Sequence, residues 1–258
     1  MPKDLIIFDV DGVLRDSARA GYEGLRRGFA SAGINPSFSM EEMWNLRGLG
    51  KYNDRLNCIM ALVAASREGI EMGRLLTRSD AEQRIDALVS KNGIDAGRKL
   101  AENISSIYQN FFLSPEARSL IGIFPYVQVS LRTLKSSGYT LAIFTNSSIV
   151  SVRRDLAALD MSVFSAVLAE EDVKNKKPSG EGITKVMQML SFAPYRTYYV
   201  GDAISDVLAA RDAGCRAVTV LSGMGTKYQL ESAKPDMIFT DISAMSMALA
   251  SRRKLRSH

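Results

Sequence analysis

Asp9 and Asp11 stand two residues apart, closing a short apolar run just ahead of a glycine in Asp9-Val10-Asp11-Gly12. Further along lie Thr145-Asn146-Ser147-Ser148, the basic loop Lys174-Asn175-Lys176-Lys177-Pro178, and Gly201-Asp202 with Asp206 one helical turn later. Carboxylates gathered in one place repel each other at low dielectric, so a cation is required among them. Magnesium suits a set of ligands that offers only oxygen. A lysine and a hydroxyl aimed at the same point hold a phosphate, and a helix opened by Thr145–Ser148 would turn backbone N–H groups toward the same anion. A carboxylate beside the metal is then placed to attack phosphorus. Other chemistries are poorly provided for. The single histidine, His258, is the last residue, which excludes serine triads, histidine-rich metal sites and imidazole bases. Cys58 and Cys215 are too far apart in sequence to suggest a disulfide framework or a zinc site.

These residues matter only if strands bring them together. Leu5–Phe8 is a continuous apolar run, as expected of a strand buried on both faces of a parallel sheet. From about Ser17 to Leu120 the pattern is helical throughout. Ala18, Tyr22, Leu25 and Phe29 recur at helical spacing, as do Leu56, Ile59, Met60 and Val63, and Leu100, Ile104, Tyr108 and Phe111. Ser39–Glu42 and Ser79–Glu82 read as capping boxes. After Pro125 helices and strands alternate. Helices are expected around Val127–Ser136, Val150–Ala158, Gly182–Leu190 and Ser205–Ala213. Strands are expected at Thr140–Phe144, Val163–Leu168, Thr197–Val200, Ala217–Leu221 and Asp236–Phe239. That alternation predicts an α/β fold: a doubly wound, Rossmann-like parallel sheet with an all-helical domain inserted after its first strand. The expected division is a core of residues 1–16 and 121–258 and an insertion of 17–120. Ligands of open α/β sheets bind at the carboxyl ends of the strands, where the aspartates, Thr145 and Lys177 fall.

The chain has 258 residues, 46% of them hydrophobic and 24% charged, and a formal net charge of +5. No apolar run approaches the roughly 20 residues of a membrane-spanning helix. Met1-Pro2-Lys3-Asp4 lacks a signal-peptide layout, so a cytoplasmic protein with no membrane partner is expected. Part of the positive excess lies in Arg252-Arg253-Lys254-Leu255-Arg256, read as a solvated, frayed terminus. It is short and lacks interleaved aromatics, which argues against a nucleic-acid partner. The glycine-rich Ser222–Lys227 lacks the spacing of a P-loop and reads as a loop beside the site.

Taken singly, each motif has a plainer reading. Asp-Gly makes turns, Asp202 could cap a helix, and Asp206 could face solvent. Together and in this order, Asp9-Val10-Asp11-Gly12-Val13-Leu14, Thr145-Asn146, Lys177-Pro178 and Gly201-Asp202-Ala203-Ile204-Ser205-Asp206 resemble the four motifs of the haloacid dehalogenase superfamily. The likeness covers the core from Leu5 to about Gly223 and is greatest to the phosphoglycolate-phosphatase-like branch, whose helical cap interrupts the chain just after the first motif. The resemblance implies a magnesium-dependent phosphatase of a small phosphorylated metabolite. In it, Asp9 would be the nucleophile, and Asp11 would protonate the leaving oxygen and later activate water. Thr145, Asn146 and Lys177 would bind the phosphoryl group. Asp9, Asp202 and the Asp11 backbone carbonyl would hold Mg2+, with Asp206 orienting a water from behind them.

Asp11 argues for phosphomonoesters, because relatives that cleave carbon–halogen or phosphonate bonds lack an aspartate there. A phosphomutase shares the core, although the linker Asp16–Tyr22 lacks the histidine such enzymes carry. A non-catalytic module or a nucleic-acid-associated protein is the reading from another class; the former would have lost a chemical residue, and none is missing. Substrate choice falls to the cap, where Arg47-Gly48-Leu49-Gly50-Lys51 resembles a specificity loop. Arg47 or Lys51 either meets a second anionic group of the substrate or is a solvated loop cation.

Overall fold

The computed structural model describes residues 4–78 and 80–255. The chain forms two compact units, Met1–Asp16 with Gly122–His258, and Ser17–Ile121.

The first unit carries strands β1 (Leu5–Phe8), β2 (Arg15–Asp16), β3 (Gly122–Ile123), β4 (Thr140–Phe144), β5 (Phe164–Leu168), β6 (Thr197–Gly201), β7 (Arg216–Val220) and β8 (Met237–Phe239). Six of them form one sheet in the order β5-β4-β1-β6-β7-β8, every pairing parallel. The chain builds outward from β1 through β4 to β5, then returns to β6 on the other side of β1. The winding therefore reverses between β1 and β6, and that is where an open α/β sheet leaves a crevice for ligand. Alternate residues of β1 serve opposite faces, as strand geometry requires. Ile6 and Phe8 pack with Leu131 and Leu134 of the helix Val127–Ser136 and with Met245 and Leu249 of Ile242–Leu255. Leu5 and Ile7 pack with Ile183 and Val186 of Glu181–Leu190 and with Val207 of Ile204–Asp212. With both faces covered, the strands can be apolar from end to end.

The second unit is helical, with helices at Ala18–Ser31, Met40–Gly48, Arg55–Glu68, Met72–Leu76, Ala81–Lys91, Ile94–Phe112 and Pro115–Arg118. Its core joins Leu25, Phe29, Met43, Leu46, Ile59, Leu62 and Ile104. The first and sixth helices approach closely because Gly24 and Gly28 face Tyr108 and Ile104; a Cβ at Gly28 would lie 2.7 Å from the Ile104 side chain. Ser39 and Glu42 form the expected reciprocal cap, whereas the one expected from Ser79 begins outside the described residues.

Several boundaries differ from the sequence reading. The helix expected to reach Ala158 is Ile149–Asp155. Arg252–Leu255, expected to fray, continue the last helix, and Arg256 and His258 lie outside the described residues. The antiparallel β2–β3 pair, with Arg15 opposite Ile123, is too short to show in any periodicity. No helix among the described residues is long and apolar enough to cross a membrane.

Candidate active site

Asp9 follows β1 directly, and its backbone N–H donates to the Val200 carbonyl of β6 at 2.8 Å. Register pairs Phe8 with Val200, so Asp9 and Asp202 leave the sheet side by side at the point where its winding reverses. Asp206 sits on the first turn of Ile204–Asp212. Its Oδ2 accepts from the backbone N–H groups of Asp202 (3.0 Å) and Ala203 (2.9 Å). Its Oδ1 lies 2.7 Å from the Lys177 ammonium, which also reaches Asp9 Oδ2 at 2.9 Å. All four side chains are buried.

The loop carrying Lys177 is shaped by local hydrogen bonds. Glu181 accepts from the N–H groups of Lys174 and Asn175 at 3.0 and 2.9 Å. The Asn146 amide grips the Lys177 backbone on both sides, Oδ1 accepting from its N–H at 3.0 Å and Nδ2 donating to its carbonyl at 3.3 Å. Asn146 thus positions Lys177. Thr145 is buried at the end of β4, its hydroxyl accepting from the Ser147 N–H.

Asp202 lies in a cradle without side chains. A Cβ on Gly12 would stand 2.1 Å from Asp202 Oδ2, and one on Gly223 would stand 1.9 Å from the same atom. Gly12 is also held at φ +74°, a region that favours glycine. Met224 N–H donates to Asp202 Oδ2 at 2.6 Å, and Ser222 Oγ donates to the Gly12 carbonyl at 2.7 Å. The loop after β7 therefore lies against the site, and Gly223 is a residue whose part the sequence did not signal.

Carboxylate oxygens of Asp9, Asp202 and Asp206 come within 4.8 Å of one another. With all three carboxylates ionised, the one ammonium would leave two negative charges uncompensated in a buried space. Burial pushes the Asp9 carboxyl up to about 6, with Asp206 and Asp11 adding to the rise and Lys177 opposing it. Burial, and then Asp206 and Asp9, raise Asp202 well above the carboxylate range. Burial alone would lower Lys177, but Asp206 and Asp9 more than offset it, so its ammonium is held firmly charged. Two buried oxygens, Asp9 Oδ1 and Asp202 Oδ1, have no hydrogen-bond partner. Such atoms are expensive to leave unmatched, and a divalent cation with oxygen ligands would satisfy both and balance the charge. Asp206 has both oxygens engaged and is the poorest ligand of the three.

A folded-state pKa raised above the unfolded value means that the folded protein binds more protons, at Asp9 between about pH 4 and 6 and at Asp202 over a window reaching higher. The stability of the metal-free protein therefore falls as pH rises through these windows. A divalent cation bound by these oxygens would offset the loss. At 100 times its Kd it contributes about 2.7 kcal/mol, roughly 5–10 °C in Tm for a protein of this size. The shift in Tm on adding magnesium should be large at pH 7.5 and small at pH 5, where protons occupy the same oxygens. Equal shifts at both pH values would contradict this reading.

Asp11 lies apart from the cluster. Its carboxylate is held by Arg15, which the sequence reading passed over, with Nε 2.8 Å from Oδ1 and one terminal nitrogen 3.0 Å from Oδ2. Ser147 Oγ donates to Oδ2 at 2.5 Å. In the helical unit, Arg47 lines a cavity with Leu25, Met43, Arg55, Cys58 and Tyr108, and its buried Nε has no partner. The half-exposed Lys51 pairs with Asp86 at 2.7 Å.

The comparisons with known proteins agree with this architecture. Over 250 residues the chain is 28% identical to the phosphoglycolate phosphatase of Shigella boydii serotype 4 (strain Sb227), covering 95% of this chain and 91% of that protein. It is 34% identical to the phosphoglycolate phosphatase of Escherichia coli (strain K12) over 128 residues, 49% of this chain and 51% of that one. A crystal structure from Lactobacillus delbrueckii subsp. bulgaricus, provisionally described as a phosphoglycolate phosphatase, superposes with a TM-score of 0.77 at 18% identity, covering 96% of this chain and 98% of that one, and shows the same fold. The family model for haloacid dehalogenase-like hydrolases matches residues 72–220. That match spans more than half of the sequence and takes in β4, β6, Lys177 and Asp202: the chain belongs to the haloacid dehalogenase-like hydrolases.

Proposed function

We propose that the protein is a magnesium-dependent phosphatase that hydrolyses a small phosphomonoester through an aspartyl-phosphate on Asp9. The observation that carries this reading is the buried cluster of Asp9, Asp202, Asp206 and Lys177, with its two unmatched oxygens and net negative charge. Asp9, Asp202 and the Asp11 backbone carbonyl would hold magnesium. Bound there, it would supply charge neutralisation for the transferring phosphoryl group, which is most of what phosphoryl transfer asks of a protein.

The remaining steps belong to the chain's own residues. The Asp9 carboxylate, ionised above about pH 6, forms a bond to phosphorus as the bond to the leaving oxygen breaks. Asp11 delivers a proton to that oxygen. The Lys177 ammonium and the Thr145 hydroxyl bind phosphoryl oxygens throughout. In the second half Asp11 takes a proton from water, whose oxygen attacks phosphorus and frees Asp9 and inorganic phosphate. Asp206 contributes by fixing Lys177 and the turn at Asp202.

The names of the similar proteins support a phosphoglycolate-like substrate, a phosphomonoester carrying a carboxylate. We assign recognition of that carboxylate to Arg47, whose buried Nε has no hydrogen-bond partner, with Lys51 secondary because Asp86 already neutralises it. A panel of small phosphomonoesters assayed with magnesium tests the reading. Phosphoglycolate and similar carboxylated esters should be preferred. Arg47→Ala should raise KM for the best of them by about tenfold or more, as expected for a lost charge-assisted contact of about 1.5–3 kcal/mol. An uncharged aryl phosphate should be little affected, and Lys51→Ala should show a smaller difference of the same kind. Equal rises for both substrates would rule out a role in recognising the second anion.

A further inference from the structure

Arg15 is among the largest fully buried side chains of the protein. A buried guanidinium is tolerated only when its charge and its donors are matched, and here all five N–H groups have acceptors. Nε and one terminal nitrogen form a fork on the two oxygens of Asp11, at 2.8 and 3.0 Å. That same nitrogen reaches Ser147 Oγ at 3.2 Å. The other terminal nitrogen reaches Asp155 Oδ2 at 2.5 Å and the Ser151 carbonyl at 3.2 Å. The backbone closes the same turn, since Gly12 N–H donates to the Arg15 carbonyl and Arg15 N–H to the Val10 carbonyl. The Asp155 side chain is itself fully buried and also pairs with Arg154. Arg15 therefore spans from the turn after β1 to the helix Ile149–Asp155, with Asp11 at one end and Asp155 at the other.

We infer that Arg15 is a positioning residue for the proton-transfer step, holding the Asp11 carboxyl beside Ser147 at the end of β4, with Asp155 as its anchor. The inference rests on the reading of Asp11 as the group that protonates the leaving oxygen. A fork onto a planar carboxylate fixes both its distance and its plane. Proton transfer to a departing oxygen depends on that orientation as well as on the presence of a carboxyl group. Asp155 pairs with Arg154 as well as with Arg15, so two cations and two anions balance in this cluster and the guanidinium is held at both ends.

The test exploits the leaving group, which separates orientation of Asp11 from general loss of fold. An alkyl phosphate needs a proton as its alkoxide departs, whereas 4-nitrophenyl phosphate does not. Arg15→Met should lower kcat/KM for the alkyl ester by about 100-fold, the lower end of what a positioned acid supplies, and for the aryl ester by no more than about threefold on the same scale. Arg15→Lys, which keeps the charge and loses the fork, should recover part of the difference. Asp155→Asn, which keeps the shape of the anchor, should show a smaller split in the same direction and serves if Arg15→Met does not fold. Asp11→Asn is the reference. If it shows the split and neither Arg15→Met nor Asp155→Asn does, the inference about Arg15 fails while the reading of Asp11 stands. If Asp11→Asn lowers both esters equally, the reading of Asp11 fails and Arg15 falls with it.

Discussion

Asp9→Asn is expected to lower kcat by at least about 10⁴-fold on every phosphomonoester, whatever its leaving group, the scale seen when an enzyme loses its nucleophile. That corresponds to about 5 kcal/mol of lost transition-state stabilisation. An amide at this position cannot form the acyl phosphate of the ordinary cycle. The loss should not come from unfolding. Asp9 is crowded by Asp206 and Asp202, and its ionisation is opposed by burial. Removing one negative charge relieves that repulsion, so the metal-free variant should melt at or above the wild-type Tm. A residual rate within tenfold of wild type, or a collapse in Tm alongside the loss, would point to a structural part for Asp9.

Removal of magnesium is the second large effect. Excess chelator should abolish turnover and added magnesium should restore it, because Asp9 and Asp202 have oxygens that no protein donor reaches. Asp202→Asn should raise the magnesium concentration for half activation by about 100-fold or more, the upper end of losses seen on disturbing a metal's surroundings. Calcium should not replace magnesium. Its larger and looser coordination displaces the nucleophile relative to phosphorus, and the cradle of Gly12, Gly223 and Met224 holds Asp202 too closely to adjust. Full activity in metal-free buffer would contradict the assignment.

How much of this was legible beforehand depended on the range of the interactions. Leu5–Phe8 announced a doubly buried strand because every residue is apolar, and alternation after Pro125 announced the parallel sheet around it. Both are local patterns, and hydrophobic periodicity reports local patterns well. The aspartate and threonine motifs could be read because each follows the end of a strand, and the lysine motif because Lys177 stands beside a proline in a loop ahead of a helix. Arg15 could not be read in this way. Its partners Ser147, Ser151 and Asp155 are more than a hundred residues away, and in sequence an arginine after Leu14 marks only the end of an apolar run. Its one local signal was its place four residues after Asp11, a spacing that matters only once the turn closes. Asn146 was placed with the phosphate ligands by its neighbour Thr145, whereas its side chain holds the Lys177 backbone. Gly223 looked like loop glycine, and only Asp202 packed against it shows why a side chain is excluded.

The central claim is that phosphate passes through Asp9 with Asp11 as the proton carrier. Asp11→Asn isolates the intermediate. With an aryl phosphate whose anion leaves unaided, the first step should survive, while the second lacks the base that activates water. Rapid mixing should then give a burst of aryl product approaching one equivalent per active site, followed by slow turnover. Mass spectrometry of the acid-quenched protein should find the phosphate on a peptide containing Asp9. A burst from Asp9→Asn instead, or phosphate carried on any other residue, would contradict the account.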